Sequence, residues 1–262
     1  MINSDLQQIT DSIESDAPCI PGTLIYNEGW LLRLALAAAF RGSRCLPFAL
    51  EHDSRWFSEA LLYSRFLPRF RGDRLAESLT HADAVVGQFI FGAETKTGVI
   101  LCPQATQFVV CEAKMFSPLS SGTKHAPGFD QAVRNIACMA ETLRRAGKPV
   151  AQYSSLGFYL FAPASQIRGG LFAELMNRNS MRTKLAGRVS MYAGEKSHPE
   201  LVEWLEDWGL PLVERVALDC CPWESIAEQL ARSAGDRGTA FARFYELCLK
   251  YNSALDQRDP VA

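Results

Sequence analysis

The chain has 262 residues, 48% of them hydrophobic and 21% charged, with a formal net charge of −2. This is the composition of an ordinary globular protein able to bury a full core, and it excludes a strongly basic coat for nucleic acid. Its longest apolar stretch, Leu31 to Phe40, is interrupted by Arg33 and too short to span a bilayer, so no membrane partner is expected.

Residues 1–22 read as an N-terminal segment, a short helix from Asp5 to Ile13 followed by a loop through Pro18 and Pro21. Tyr26 to Phe40 is the first strong helix, with Asn27 placed to cap it and apolar residues at helical spacing. Ser54 to Phe66 reads as a second helix, with Trp56, Phe57, Ala60, Leu61 and Phe66 as its apolar set. A connector follows, Pro68 to Leu79, flanked and crossed by Arg65, Arg69, Arg71 and Arg74.

From His81 the period shortens. Ala84 to Phe91, Val99 to Cys102 and Gln107 to Cys111 are rich in β-formers and separated by turn residues, which predicts an antiparallel three-strand meander. Asp130 to Ala146 is an amphipathic helix ended by Gly147, and Gln152 to Phe161 a further strand in the same sheet. Beyond it, Ile167 to Asn177 reads as helical and Met181 to Ser197 as a stretch rich in Arg, Lys and Gly, with Arg182, Lys184 and Arg188 placed to line a groove. A helix over His198–Trp208, a short strand over Val213–Leu218 and helices over Trp223–Ser233 and Thr239–Ser253 complete the chain. The fold class is α/β: a sheet core over 23–165, preceded by the 1–22 segment and followed by a mainly helical extension over 166–262. None of the eight cysteines forms a C-x-x-C pair or lies at zinc spacing from a histidine. They read as reduced thiols, which together with an acidic, polar N-terminus points to the cytoplasm.

The clue to chemistry is charge at the end of an apolar strand. Phe108-Val109-Val110-Cys111 runs into Glu112-Ala113-Lys114, and a buried charge costs several kcal/mol unless a partner or metal compensates it. Strand side chains alternate, so Glu112 and Lys114 share a face. Asp83, just before the first meander strand, can meet them at one sheet edge. Asp83, Glu112 and the Ala113 carbonyl would then be hard oxygen ligands for Mg²⁺, with Mn²⁺ as its substitute. Lys114 would assist a water or stabilise charge on a phosphate. The bland alternative for Glu112 and Lys114 is a surface salt bridge, and for Asp83 a strand-edge cap.

This pattern resembles the PD-(D/E)XK, or restriction-endonuclease-like, nuclease superfamily. Asp83 matches its first acid (after Ala82 rather than a proline), Glu112-Ala113-Lys114 its tripeptide, and Gln131 the glutamine that often follows on a helix. The resemblance covers roughly residues 25–165 and implies a core of helix, three-strand meander, helix and strand. It implies a Mg²⁺-dependent nuclease acting on DNA, with a further acid from the first core helix. Glu28 is the candidate, with Glu59 and Glu77 as rivals. In the loop from Met115 to Gly128, Ser117, Ser121 and Lys124 suit phosphate contact, joined by Arg134 one helical turn after Gln131. Cleaving both strands of a duplex calls for two active sites, which a homodimer would supply. The alternative is the same fold without catalysis, kept as a nucleic-acid or protein-binding module.

Overall fold

The computed structural model describes residues 2–92, 96–123 and 125–253 of a mixed α/β protein built on a five-stranded mixed sheet. The chain forms two compact units, Met1–Pro47 with Trp223–Ala262, and Phe48–Pro222. These divisions differ from the expected ones at residues 22 and 165, because both ends of the chain contribute to one unit. That unit begins with α1 (Ile2–Ser12) and α2 (Glu28–Ala39). Asn27 caps α2 as expected, its side-chain oxygen accepting from Trp30 N at 3.0 Å.

The second unit carries the sheet. Its first strand, β1 (Arg55–Leu62), replaces the helix expected over Ser54–Phe66. The physical reason lies in its burial, which does not alternate: residues up to Glu59 are exposed or half-buried, and Ala60, Leu61 and Leu62 are all buried. Glu59 has a φ of 55°, and the register with β2 is the same on both sides of it. Without a period of two, apolar residues at 56, 57, 60 and 61 satisfy a helical spacing equally well.

β2 (Thr80–Gly87) pairs antiparallel with β1 and ends where Gly87 adopts a φ of 151°. A side chain there would drive Cβ to 2.1 Å from the Gln107 carbonyl oxygen. The apolar run expected as a single strand from Ala84 to Phe91 is thereby split. β3 (Phe89–Phe91) leaves the main sheet and pairs with β4 (Val99–Leu101) as a separate two-stranded ribbon. The meander is thus β1, β2 and β5 (Gln107–Ala113) rather than the three stretches expected. The loop after β5 holds a small ribbon of β6 (Gly122–Thr123) and β7 (Ala126–Pro127).

α3 (Gln131–Ala146) matches the expected helix. Asp130 accepts from Ala132 N at 2.9 Å and Val133 N at 3.1 Å, and Gly147 closes it with a φ of 66°. Its buried face, including Val133, Ile136, Met139 and Leu143, belongs to the same apolar cluster as Val85, Phe108, Val110 and Phe158. Each such large side chain contributes about 1.5–3 kcal/mol by leaving water. β8 (Ser155–Ala162) runs parallel to β5, with Ala113 opposite Phe161.

After the short α4 (Ala164–Arg168), the stretch expected as a basic, Gly-rich segment folds as α5 (Arg178–Ser190). Asn177 caps it, and Met181, Leu185, Arg188 and Val189 form its buried face. An arginine at one buried position hid the helical period from the sequence. α6 (His198–Trp204), a π-helical turn and α7 (Leu210–Arg215) follow, so the expected strand at Val213–Leu218 starts later, as β9 (Ala217–Pro222), parallel to β8. The sheet order is β1-β2-β5-β8-β9. α8 (Trp223–Ser233) and α9 (Asp236–Asn252) return to the first unit, where Asn252 donates to the Tyr26 carbonyl at 2.7 Å and Tyr251 stacks on Tyr26 at 5.4 Å. The eight cysteines are free thiols. Among the described residues no helix is long and apolar enough to cross a membrane.

Candidate functional site

The strand geometry brings the sequence-selected carboxylates together. β2 and β5 pair with Ala84 opposite Cys111, and one more step of that register sets Asp83 across from Glu112. Side chains directly opposite on antiparallel strands have Cβ atoms roughly 4.5–5.5 Å apart. The ladder itself stops at Ala84 and Cys111. In place of a strand carbonyl, the Asp83 carboxylate Oδ2 accepts the Ala113 N–H at 2.8 Å.

Glu112 is fully buried, while Asp83 is half-buried. Three nitrogen donors surround the Glu112 carboxylate. Lys114 Nζ lies 2.8 Å from Oε1, Gln131 Nε2 also donates to Oε1, and Asn135 Nδ2 donates to Oε2 at 3.3 Å. Even so, Glu112 is pushed well above the usual carboxylate range. Burial is the main cause, the neighbouring Asp83 carboxylate adds to it, and Lys114 pulls the other way.

Gln131 has a second duty. Its Oε1 accepts from Ser120 N at 3.2 Å, and its own N–H donates to the Ser120 carbonyl at 2.9 Å, so it ties the β5–α3 loop to Glu112. Asn135 is the residue the sequence reading missed. It is fully buried, sits one turn beyond Gln131, and its Oδ1 has no hydrogen-bond partner among the described residues. The available signal was an amide at i+4 from Gln131 on the face that otherwise carries Ala132, Val133 and Ile136.

The other selected residues are placed differently. Glu28 is the first residue of α2 and belongs to the other compact unit. Glu59 is exposed, and the pairs Ser58–Ala84 and Ala60–Ala82 on either side of it leave it across from Asp83. Glu77 is buried on Arg188, whose Nε donates to it at 3.0 Å. Arg134 turns away from the loop, with Nε 3.9 Å from Glu77 and Nη2 3.4 Å from Thr80 Oγ1. Ser117 and Ser121 are exposed in the loop, and Lys124 lies outside the described residues.

The basic residues of the connector and of the expected groove are largely taken up by ion pairs. Arg65 holds Glu200 at 3.0 Å, Arg69 holds Asp73 at 2.8 Å and Lys184 holds Asp130 at 2.9 Å, while Arg182 pairs with Glu214. Arg71 and Arg74 are exposed.

For a divalent cation the donor chemistry fits. Two hard carboxylates lie side by side, and a cation between them would offset the repulsion that adds to burial in raising Glu112. Among the described residues, however, no three His, Cys, Asp or Glu side chains converge as a metal-holding group. Further ligands would have to be backbone oxygen, such as the Ala113 carbonyl, water or substrate. Compared with known proteins, the chain matches no family model, no curated protein and no solved structure.

Proposed function

We propose that the chain is a Mg²⁺-dependent nuclease hydrolysing phosphodiester bonds in DNA, with a site of the PD-(D/E)XK kind. The observation that carries this reading is the buried Glu112 carboxylate. It faces a second carboxylate, Asp83, and has an amine two residues on at 2.8 Å. Within the sheet unit the order β1, β2, β5, α3, β8, with the β3–β4 ribbon as an insertion, supports the meander, helix and strand that resemblance implies.

Asp83 and Glu112 would hold the cation with the Ala113 carbonyl. When bound, the cation polarises the phosphate and lowers the pKa of a water. Lys114, 12% exposed in its side chain, reaches from Glu112 toward solvent, where its ammonium orients the attacking water and offsets charge gathering on phosphorus. Gln131 fixes the Glu112 rotamer and the start of the loop, and Asn135 holds the second Glu112 oxygen.

One observation favours a second reading, a binding module without catalysis: Lys114, Gln131 and Asn135 answer the Glu112 carboxylate from within the protein. Side-by-side assays of single- and double-stranded DNA with Mg²⁺, Mn²⁺ or EDTA separate the two. The nuclease reading expects metal-dependent cleavage that Lys114→Ala abolishes in a folded protein. Cleavage of equal rate in that variant sinks it.

A further inference from the structure

The loop that leaves β5 carries an aromatic side chain that the fold holds out into water. Phe116 lies two residues beyond Lys114, a chain reach of at most about 7 Å. It is 38% exposed, whereas Met115 and Leu119 on either side are buried at 5% and 4%. Its φ is 64°, a left-handed conformation that side chains bearing a Cβ disfavour and that clusters at functional sites. Two glutamine amides pin the segment. Gln166 Oε1 accepts from Phe116 N at 3.2 Å, and Gln131 Oε1 accepts from Ser120 N at 3.2 Å. Among the described residues the Phe116 ring has no aromatic or cationic partner.

The neighbouring strand supplies the rest of this rim. β5 and β8 are parallel with Ala113 opposite Phe161, so the segments that follow them leave the sheet at the same edge. Gln166, which pins Phe116, also accepts Leu171 N on its main-chain carbonyl at 3.2 Å. Leu171 is 44% exposed, and Arg168 between them is exposed as well. An aromatic face, an aliphatic side chain and a guanidinium therefore follow the ends of β5 and β8, the same end that carries Lys114.

Ligands of open α/β sheets bind beyond the carboxyl ends of parallel strands, which is where this rim stands. Single-stranded nucleic acid is gripped by such a combination, bases stacking on aromatic rings while cations follow the backbone. A duplex keeps its bases stacked on each other and offers this ring nothing to stack on.

We infer that Phe116 is a stacking platform for an unpaired base next to the scissile phosphate, with Arg168 on the adjoining backbone, so that the site takes single-stranded DNA in preference to duplex. This rests on the nuclease reading above for the place of the scissile bond. The stacking itself is measured without cleavage.

The test is fluorescence anisotropy in EDTA with a labelled dT12, an abasic strand of equal length and a blunt duplex. Phe116→Ala is expected to weaken dT12 binding about tenfold and leave the abasic strand unchanged, while Phe116→Trp retains the wild-type affinity. Phe116→Gly suits the left-handed backbone, so loss of dT12 binding in that variant reports the ring and not the turn. Equal dT12 affinity in wild type and both truncations overturns the inference, as does an equal loss on the abasic strand. A wild-type protein that binds dT12 through Phe116 yet never cleaves it with Mg²⁺ overturns the nuclease reading instead. Metal-dependent cleavage that is indifferent to Phe116 overturns the stacking alone.

Discussion

Two of the carboxylates buried in the sheet unit, Glu77 and Glu112, are treated in opposite ways. Glu77 is 3% exposed, and the Arg188 guanidinium beside it is 1% exposed, stacked over Phe66, Phe129 and Tyr192 and bonded also to the Leu75 carbonyl. Arg134 adds a second cation at 3.9 Å. Burial pushes Glu77 up, and both guanidiniums pull it back. Glu112 has one ammonium and two neutral amides, and it faces another carboxylate. The first centre is closed, with its charge answered inside the protein. The second sets two carboxyl groups against one ammonium at the end of the strands. A fold that spends two guanidiniums on one buried acid and leaves a second beside a like charge treats the two as different kinds of site.

The sharpest way to break this contrast is through activity. Glu112→Gln keeps the shape of the side chain and removes its charge. Under the nuclease reading it lowers metal-dependent cleavage by about 10³-fold or more in a quenched-substrate assay, with the circular dichroism spectrum unchanged. The mirror experiment is Arg188→Met, which leaves Glu77 buried beside the single, more distant Arg134. Urea unfolding should show a loss of about 3–5 kcal/mol, and Arg188→Met with Glu77→Leu should recover most of it.

Asn135→Leu comes next in size. It removes a donor from Glu112 without touching Asp83 or Lys114, and a lost positioning contact typically weakens metal binding by about 10–100-fold. Calorimetry with Mn²⁺ reads it directly, and unchanged affinity would show that Asn135 fills space and no more.

The smallest effect is on stability and pH. Glu112 is raised in the folded state, so between its unfolded value and that raised value the native protein holds the extra proton. Its contribution to stability therefore falls as pH rises through this window. Glu77 adds a slope of the same sign. Glu112→Gln should remove its own share, leaving the metal-free variant relatively more stable at alkaline pH. Thermal melts of both proteins across pH 5 to 9 measure the difference, and parallel curves would contradict the assignment.

Much of the site was readable because its residues sit where local rules are strong. Asp130 and Gly147 bound α3, Asn27 caps α2, and alternation put Glu112 and Lys114 on one face. The tripeptide also ends an unusually apolar strand, all seven residues of which are buried. What was hidden depended on tertiary context. β1 reads as a helix because its second half is buried without alternation, and β2 reads too long because only the approach of Gln107 shows what Gly87 is for. Arg188 reads as a surface cation in a basic stretch until Glu77, 111 positions away in sequence, is seen beside it. Asn135 shows as a partner of Glu112 only once α3 is laid on the sheet.

The central claim is that Asp83 and Glu112 form a cation site, and isothermal titration with Mn²⁺ tests it most directly. The account predicts one saturable site in the wild-type protein, lost in both Asp83→Asn and Glu112→Gln, with affinity rising with pH as Glu112 gives up its proton. No heat in the wild type, or the same isotherm in all three proteins, would contradict it.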